Sequence, residues 1–461
     1  MLLLGCGLAS FQSHSGAFSL YTEGSASAVG NFAAGVAAEG RDASIGWFNP
    51  AGLVLLRKPE IVLGAVGVLP HVSLTGEAIF NQIEIDSNEL LPPYVENFNN
   101  LNGAQNAVVP NLHVAIPVGD NFTYGLSIVS PLGLSTSWPQ DSALRYAATL
   151  SELTVVDISP EMGGLITNNL SVGWGLDIQW ADVSFNNMLG SPAGFQQVNS
   201  LNSEPSSQIR VTELDSSLVN SGTSTALGFH AGFLLMTDDR RSRLGFNFQY
   251  GTTHEFNGSS ALTGRIADYE NGATQIDAQY KTLALSSKPI QFPNVLTFSV
   301  YQQVAPKVSM LGSIVYSTWS SFQAITLSGV AAYSATEDAL YQASANSLQN
   351  YHNTIRASYG MNFDVTDSLQ LRWGGGYDQS PTNDIDRDVR MPDVDKLAIA
   401  CGLQWKMTPH WFMDVGYSYL IPLGNVVINK TQVFDQYNFI QVNATGHAYA
   451  QLIGAQIAWR N

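Results

Sequence analysis

Histidine and cysteine are the residues of this chain that could drive catalysis or bind a metal. The eight histidines are scattered over expected loops, turns and strands, at His14, His71, His113, His230, His254, His352, His410 and His447. A zinc-protease helix needs a second histidine four residues after the first of a His-Glu pair, and His254-Glu255 lacks it. No serine-nucleophile elbow or phosphate-binding loop occurs in a plausible context. We therefore expect no hydrolase or other enzyme, no metal site and no cofactor.

The two cysteines, Cys6 and Cys401, are far apart in the chain. Cys6 belongs to the opening MLLLGCGLASFQSHSGA, a short apolar stretch followed by small residues, which is typical of a secretory signal and its cleavage site. This opening has no basic N-terminal region, as would be expected of a shortened signal. We expect residues 1–17 to be the signal peptide. Cys401 then has no partner, which predicts neither a disulfide nor a redox pair.

The composition is that of a membrane protein that crosses the bilayer with strands. Charged residues make up only 12% of the 461 residues, against about 25% in an ordinary soluble domain. No stretch approaches the roughly 18 to 20 consecutive apolar residues of a membrane-spanning helix. A closed β-barrel is the remaining way to cross. The net charge of −17 and the lack of a basic stripe argue against nucleic acid as a partner.

Residue types alternate with period two over long tracts. In the stretch 170–179 the even positions are apolar and the odd positions are small or polar. The stretch 244–250 has the same pattern, and in 369–377 and 411–419 the apolar residues fall mainly on the odd positions. Strands of soluble sandwiches average about five or six residues, whereas these tracts reach about ten, the length of a membrane span. Aromatic residues end several tracts, as at interfacial girdles: Trp180, Tyr250, Trp319 and Trp459.

Short turns and long connections alternate along the chain. The expected short turns are Gly119–Asn121, Thr167–Asn169, Asp238–Ser242, Ala305–Lys307, Thr366–Ser368 and Thr408–His410. The expected long loops are Ala78–Ala107, Pro139–Ala148, Asn187–Gly222, Asn257–Ser287, Gln323–Tyr351, Thr382–Met391 and Asn425–Thr445. Six turns and seven loops join fourteen strands. We predict an all-β fold, a 14-stranded antiparallel transmembrane barrel over residues 60–461, with short periplasmic turns and long extracellular loops.

Residues 18–59 precede the first expected strand. They are rich in alanine and glycine and end in the motif WFNPAGL. A wall of fourteen strands encloses a lumen wider than its own side chains can fill. We therefore expect an N-terminal hatch that plugs this lumen, with gating residues Trp47, Phe48, Asn49, Pro50 and Ala51. A loose periplasmic arm is the alternative.

Four stretches carry a family resemblance. They are FSLYTEGSASAVGNFAAGVAAEGRDASIGWFNPAGL, VPNLHVAIPVGDNFTYGLSIVSPLG from Val109, VYSTWSSFQAI from Val315, and WGGGYDQSPTNDIDRDVRMPDVDKLAIACGL from Trp373. They resemble the FadL-type (OmpP1/FadL/TodX) outer-membrane transporters of long-chain fatty acids and other hydrophobic compounds. The resemblance covers nearly the whole mature chain.

The resemblance implies a monomeric, hatch-closed barrel in the bacterial outer membrane, set among lipid and lipopolysaccharide and inserted by the barrel assembly machinery. It also implies passive uptake, in which a ligand lands between the loops 187–222 and 257–287 and leaves sideways through a kink in the third strand. That kink would lie at Ser130, Pro131, Leu132 and Gly133. Independently of the family, a proline cannot donate a ladder hydrogen bond, so Pro131 should interrupt the wall. An ordinary bulge or strand end is the alternative.

The identity of the ligand is open at this stage. Where the fatty-acid transporters carry a basic residue that can meet a carboxylate, the segment here is VSFNNMLG, around Asn187. The residue that contacts a carboxylate is therefore unknown, although Arg145, Arg210, Arg265 or Lys281 could substitute. Long-chain fatty acids are the expected ligand, with aromatic or other hydrocarbons as the alternative on the same fold. A general porin or an adhesin is the alternative function.

Overall fold

The protein consists mainly of long β-strands that pair in chain order. The computed structural model describes residues 19–84, 87–201, 211, 215–268, 274–334 and 339–461. The expected signal peptide and Arg210 lie outside the described residues. The strands are β1 (Glu60–Gln82), β2 (Tyr94–Asn102), β3 (Ala107–Val118), β4 (Phe122–Val129), β5 (Gly133–Ser137), β6 (Leu150–Thr167), β7 (Leu170–Leu189), β8 (Ser216–Met236), β9 (Ser242–Gln249), β10 (Thr253–His254), β11 (Asn257–Asp268), β12 (Thr274–Ser287), β13 (Ile290–Gln291), β14 (Val295–Ala305), β15 (Val308–Ser317), β16 (Ala324–Ser334), β17 (Ala339–Leu348), β18 (Thr354–Asp364), β19 (Leu369–Asp378), β20 (Lys396–Lys406), β21 (Trp411–Pro422), β22 (Val426–Val433) and β23 (Asn438–Arg460).

Fourteen strand positions close into an antiparallel barrel, which confirms the predicted fold class. The wall runs through β1, β3, β4 with β5, β6, β7, β8, β9, β14, β15, β18, β19, β20, β21 and β23. The first and last positions pair along their whole length, from Glu60↔Arg460 to Gln82↔Asn438. Closure leaves the wall without a free edge, as a bilayer requires.

In the part of the chain that the structure describes, helical segments are few. They are α1 (Ala26–Val29), α2 (Ile45–Phe48) and α3 (Pro192–Leu201), with 3-10 turns at Thr22–Gly24, Pro50–Leu55 and Trp319–Ser321. Among the described residues, no helix is long and apolar enough to cross a membrane.

The two faces of the wall are inverted relative to a soluble protein. On β7, Trp174 and Ile178 are 50% and 45% exposed, whereas Ser171 and Asp177 are fully buried. The apolar face of each strand therefore points outward and the small or polar face points inward, the arrangement of a barrel whose solvent is lipid. The period-two pattern of the sequence encodes this arrangement directly, because successive side chains of a strand point to opposite faces.

Each of the six predicted short turns lies between two consecutive wall strands, such as β3 and β4 or β18 and β19. Four of the long connections at the other end contain strands of their own. In Ala78–Ala107, β2 pairs with β1; Asn257–Ser287 and Gln323–Tyr351 contain the hairpins β11–β12 and β16–β17; and in Asn425–Thr445, β22 pairs with β23. The reason is that a hairpin satisfies backbone groups outside the membrane as well as within it. The loop expected over 187–222 is also shorter, since β7 runs to Leu189 and β8 begins at Ser216.

The described N-terminal segment, residues 19–56, is buried among the inward faces of the strands. Leu20, Phe32 and Leu53 are each at most 1% exposed. Helix α1 contacts β1, β20, β21 and β23, while the 3-10 turn at 50–55 contacts β4, β6, β7 and β8 on another part of the wall. Burying each large apolar side chain stabilises this arrangement by roughly 1.5–3 kcal/mol.

Candidate transport site

The wall is interrupted at its third position. The β3–β4 ladder ends at the pair Leu112↔Ile128, and the next link is an isolated bridge between Ala104 and Thr136. Residues 105–111 and 129–135 therefore face each other with no ladder pair between them. We call this interval the first break.

The predicted kink residues lie in the first break. Ser130, Pro131 and Leu132 separate β4 from β5, and Gly133 begins β5. Pro131 has a counterpart in Pro110 on the facing strand, so each side lacks a backbone donor. Sequence reasoning pointed to Pro131 and overlooked Pro110, although both are prolines within alternating tracts.

The N-terminal end of the described chain covers the first break from the inside. The Leu20 N–H donates to the Pro131 carbonyl at 2.9 Å, and Ser19 forms an antiparallel bridge with Leu132. The Leu20 side chain packs with Val109 in a buried cluster. At Gly133 an added Cβ would lie 2.9 Å from Leu20 Cδ1, so glycine leaves room for this close approach. We call residues 19–24 the tip.

A few single hydrogen bonds hold the rest of the tip. The Gly24 carbonyl lies 2.9 Å from His113 Nε2 on β3. The Thr22 hydroxyl accepts from Arg356 Nη1 at 2.6 Å. Tyr21 Oη lies 2.8 Å from Thr297 Oγ1. Burial raises the pKa of Tyr21, while the Thr297 hydroxyl and the Arg356 charge offset part of that rise, so the phenol stays neutral as the partner of Thr297.

An aromatic cluster joins the tip to α2. The ring centroids of Trp47 and Phe48 are 4.8 Å apart, and both lie near the Tyr21 ring, at 6.0 and 5.3 Å. Edge-on pairs of this kind add about 0.5–1.5 kcal/mol to simple burial. Trp47 and Phe48, two of the expected gating residues, thus contact Tyr21 of the tip.

Asn49, Pro50 and Ala51 are held tightly against the wall. Asn49 Oδ1 accepts from the Ala51 N–H at 3.2 Å, and its Nδ2 donates to the Phe233 carbonyl at 3.1 Å. Ser171 Oγ donates to the Ala51 carbonyl at 2.8 Å. Pro50 begins the 3-10 turn, where its missing N–H leaves no donor unsatisfied. This motif is therefore docked to the wall at several points.

Charged groups fasten the segment at its periplasmic end. Arg460 pairs with Glu60 at 2.9 Å and also donates to the Arg41 carbonyl. Gln456 Nε2 donates to Asp42 at 2.8 Å. Burial alone would raise the pKa of Asp42, but hydrogen bonds from Ser44 and Gln456 and the charge of His113 hold it below its ordinary value. Asp42 is therefore ionised in the folded protein.

We expect Arg372→Leu to lower the free energy of unfolding by about 3–5 kcal/mol, because it leaves a buried charge without its partner. Arg372 lies 2.5 Å from Asp414, both side chains are at most 1% exposed, and a further bond of 3.1 Å reaches the Ser27 carbonyl. Urea unfolding in detergent micelles measures the change. Asp384→Asn is the control, since Asp384 is 80% exposed in its pair with Arg387 and should change stability by less than about 1 kcal/mol. Equal losses in the two variants would contradict the prediction.

A small cavity lies on the extracellular side of the tip. Its lining combines tip residues with polar groups at the strand ends: Ser19, Tyr21, Val315, Ser317, Trp319, Thr354, Arg356, Asp378 and Gln379. A buried apolar cluster lies beside it, formed by Leu132, Leu134, Leu153, Val155, Ala181, Val183, Phe256, Ile290, Phe292, Trp319, Phe322, Tyr351 and Met391. We call this cluster the apolar core. It includes residues of the first break and Trp319 of the cavity.

Of the basic residues considered from the sequence, Arg145 is already bound elsewhere. It pairs with Glu96 at 2.5 Å and with Asp215 at 2.8 Å. Lys281 is exposed on β12, and Arg265 lies on β11. The cation at the cavity is Arg356, which sequence reasoning missed. The alternation of residue types along β18 could have identified it. Thr354, Arg356 and Ser358 occupy the polar, inward positions of this strand, whereas Ile355 and Tyr359 occupy outward positions.

The whole chain has relatives of known fold. The family model described as "Outer membrane protein transport protein (OMPP1/FadL/TodX)" matches residues 6–460. The long-chain fatty acid transport protein of Escherichia coli K12 is 26% identical over 444 residues, covering 91% of each chain. Outer membrane protein P1 of Haemophilus influenzae Rd is 24% identical over 422 residues, covering 90% of this chain and 87% of the relative.

Solved structures share the fold. A Pseudomonas aeruginosa FadL homologue superposes with a TM-score of 0.78 at 20% identity, covering 96% of this chain and 99% of the other. The Pseudomonas putida toluene transporter TodX superposes with a TM-score of 0.62 at 15% identity, covering 97% and 98%. The family and these structures are transporters and not enzymes. The chain belongs to the OMPP1/FadL/TodX family of transport proteins of the bacterial outer membrane.

Proposed function

We propose that this protein takes up hydrophobic molecules, chiefly long-chain fatty acids, by passive diffusion through a barrel whose N-terminal hatch gates a lateral exit. This proposal rests on the first break. A wall interval without ladder pairs, bridged from inside by Ser19 and Leu20, is a costly feature in a membrane unless it serves as an opening. The fatty-acid transporters among the relatives support the same ligand class.

A side exit suits an apolar cargo. An acyl chain gains about 0.8 kcal/mol for each methylene kept out of water, so a water-filled pore serves it badly. The apolar core adjoins the first break through Leu132 and Leu134. A ligand in that core could therefore move into the hydrocarbon of the membrane without exposure to water.

Gating is assigned to the tip, and residues 25–56 act as its anchored base. The tip is held by single hydrogen bonds to Pro131, His113, Arg356 and Thr297. The base is held by hydrogen bonds that wall residues donate to Ser27, Arg41 and Asp42, and by the docked motif at Asn49. The tip is the part of the segment that bridges to Leu132 and bonds to Pro131, so displacing the tip alone would uncover the first break.

Arg356 is proposed as the group that meets a ligand carboxylate. Its guanidinium lines the cavity and donates to Thr22 and to Asp378, each at 2.6 Å. A carboxylate is a stronger acceptor for guanidinium than a hydroxyl is. A fatty acid that replaced Thr22 as the partner of Arg356 would therefore loosen the tip, which couples ligand binding to opening.

The variant Arg356→Gln/Asp378→Asn should weaken palmitate binding by roughly 10- to 100-fold, since hydrogen bonds to charged groups contribute about 1.5–3 kcal/mol. Changing both partners avoids leaving Asp378 buried and unpaired. Fluorescence displacement or calorimetry with the purified protein measures the affinity. The matched probe is hexadecanol, which has no charge and should bind both proteins equally. Equal palmitate affinity in the two proteins would contradict the role of Arg356.

Monoaromatic hydrocarbons are the second candidate ligand. The aromatic cluster of Tyr21, Trp47 and Phe48 lies beside the cavity and offers ring edges and faces without demanding a charge. The unaltered protein and the variant Arg356→Gln/Asp378→Asn can be compared again here. Saturable toluene binding by both, together with weak palmitate binding by both, would favour this candidate over fatty acids.

A further inference from the structure

The wall has a second interruption, between β8 and the chain that follows β9. Below it, the Tyr250 N–H donates to the Phe229 carbonyl at 2.9 Å. Above it, pairing resumes at Asn257↔Thr223. Between these points residues 224–228 and 251–256 share no ladder pair. We call this interval the second break.

In residues 251–256, the side chains of Thr252 and His254 point into the lumen. The Thr252 hydroxyl donates to Gln179 Oε1 on β7 at 2.7 Å, and His254 Nε2 lies 3.2 Å from the same oxygen. Both side chains are at most 2% exposed. The backbone of this stretch is hydrogen-bonded on the side that faces away from β8, where the Phe292 N–H donates to the Thr252 carbonyl at 2.9 Å. The backbone of the stretch therefore pairs with β13, and a hydrogen bond from the Glu255 N–H to the Ser224 hydroxyl, at 3.1 Å, links it to β8.

The second break lies at membrane depth. Leu227 is nine residues from Met236, the periplasmic end of β8, just as Pro131 is nine residues from Phe122 at the start of β4. A membrane-spanning strand has about 9–11 residues, so both breaks lie near the outer end of the hydrocarbon layer. Leu227 is 75% exposed, whereas its cross-strand partner Ile178, on the intact side of β8, is 45% exposed.

The two breaks share one interior. Phe256 and Phe292, from the inward stretch and its partner strand, belong to the same buried apolar core as Leu132 and Leu134 of the first break. Continuous apolar packing thus leads from one interruption of the wall to the other. Irregular backbone at membrane depth is tolerated where it is buried in protein or lines a cavity, and here it borders the proposed ligand core.

We propose that the second break is a second lateral opening, through which an acyl chain passes between the apolar core and the outer leaflet. The inference rests on the proposed uptake of hydrophobic ligands and adds a route to it. Two exits on different sides of the barrel make release depend less on any one strand. An inward bulge that never admits ligand is the competing structural explanation.

Photolabelling tests the opening directly. The whole protein in phospholipid nanodiscs is irradiated with palmitate that carries a diazirine at its terminal carbon, and the adducts are mapped by mass spectrometry. We expect adducts at 224–229 and 250–256, as at 129–135, that excess unlabelled palmitate suppresses. Ile178 and Trp174, on the lipid-facing side of β7, measure the background labelling, which excess unlabelled palmitate should not suppress. Suppressible adducts at 129–135 with only background at 224–229 would overturn the second opening and leave the first intact.

Uptake by cells gives a second readout. Ser130→Arg should close the first break and reduce palmitate uptake only in part. Ser130→Arg/Ala226→Arg, with a second arginine at an inward position of the second break, should reduce it at least about 10-fold further. Heat-modifiable migration of each variant on gels shows that the barrel has formed. Complete loss in Ser130→Arg alone would refute a second exit, and absence of palmitate uptake and of suppressible adducts in the unaltered protein would refute the proposed function with it.

Discussion

A disulfide between Ser19→Cys and Leu132→Cys should reduce palmitate uptake at least about 10-fold, and its reduction should restore uptake. Ser19 and Leu132 form an antiparallel bridge, so their Cα atoms lie within the range that a disulfide spans, about 4.4–6.8 Å. The bond would hold the tip across the first break. It would also keep Ser19 and Tyr21 in the cavity lining, so that ligand could not take their place on its way to either opening.

The experiment needs a Cys401→Ser background, because Cys401 is an exposed free thiol. Ser242→Cys/Gln302→Cys is the matched control, since it links two strands that are already paired, β9 and β14, away from the tip. Oxidised control protein should transport normally. Full uptake by the oxidised Ser19–Leu132 variant, with the disulfide verified by mass spectrometry, would show that the tip is not the gate.

Gly173→Leu should turn a closed barrel into a steadily conducting one. An added Cβ at Gly173 would overlap the backbone of Pro50 and Ala51, which cannot give way as a flexible side chain would. The wall around Gly173 is held by ladders to β6 and β8, so the docked motif is the part expected to leave. Planar-bilayer recordings should show a large, steady current in place of small, intermittent events.

Gly67→Leu is the control for this substitution, because the only atom near an added Cβ there is the Ile453 carbonyl oxygen, at 3.7 Å. It should conduct like the unaltered protein. Unchanged conductance in Gly173→Leu with a correctly inserted barrel would argue against lumen closure by residues 19–56. A large, steady current through the unaltered protein would instead favour a general porin.

Local patterns of the sequence were enough to predict the barrel wall. Alternation such as Val172, Trp174 and Leu176 against Ser171 and Gly173 specifies both strand and face, because the side-chain period of a strand is two. Short polar turns such as Gly119–Asn121 then set the order of the strands, since hairpins join neighbours. The same reasoning placed an interruption at Pro131, because a proline removes a ladder donor wherever it lies.

Contacts between distant parts of the chain could not be predicted from local patterns. The pairing of Ser19 with Leu132, the bond from Arg356 to Thr22 and the bond from Thr252 to Gln179 join residues far apart in sequence. No local period encodes such contacts, because they depend on how the closed barrel brings separate strands and the N-terminal segment together. By itself the sequence determined the barrel, its inverted faces and the interruption at Pro131. Tertiary structure alone decided that residues 19–24 rather than the WFNPAGL motif lie against that interruption, because only packing inside the lumen could place this segment against one interval of the wall.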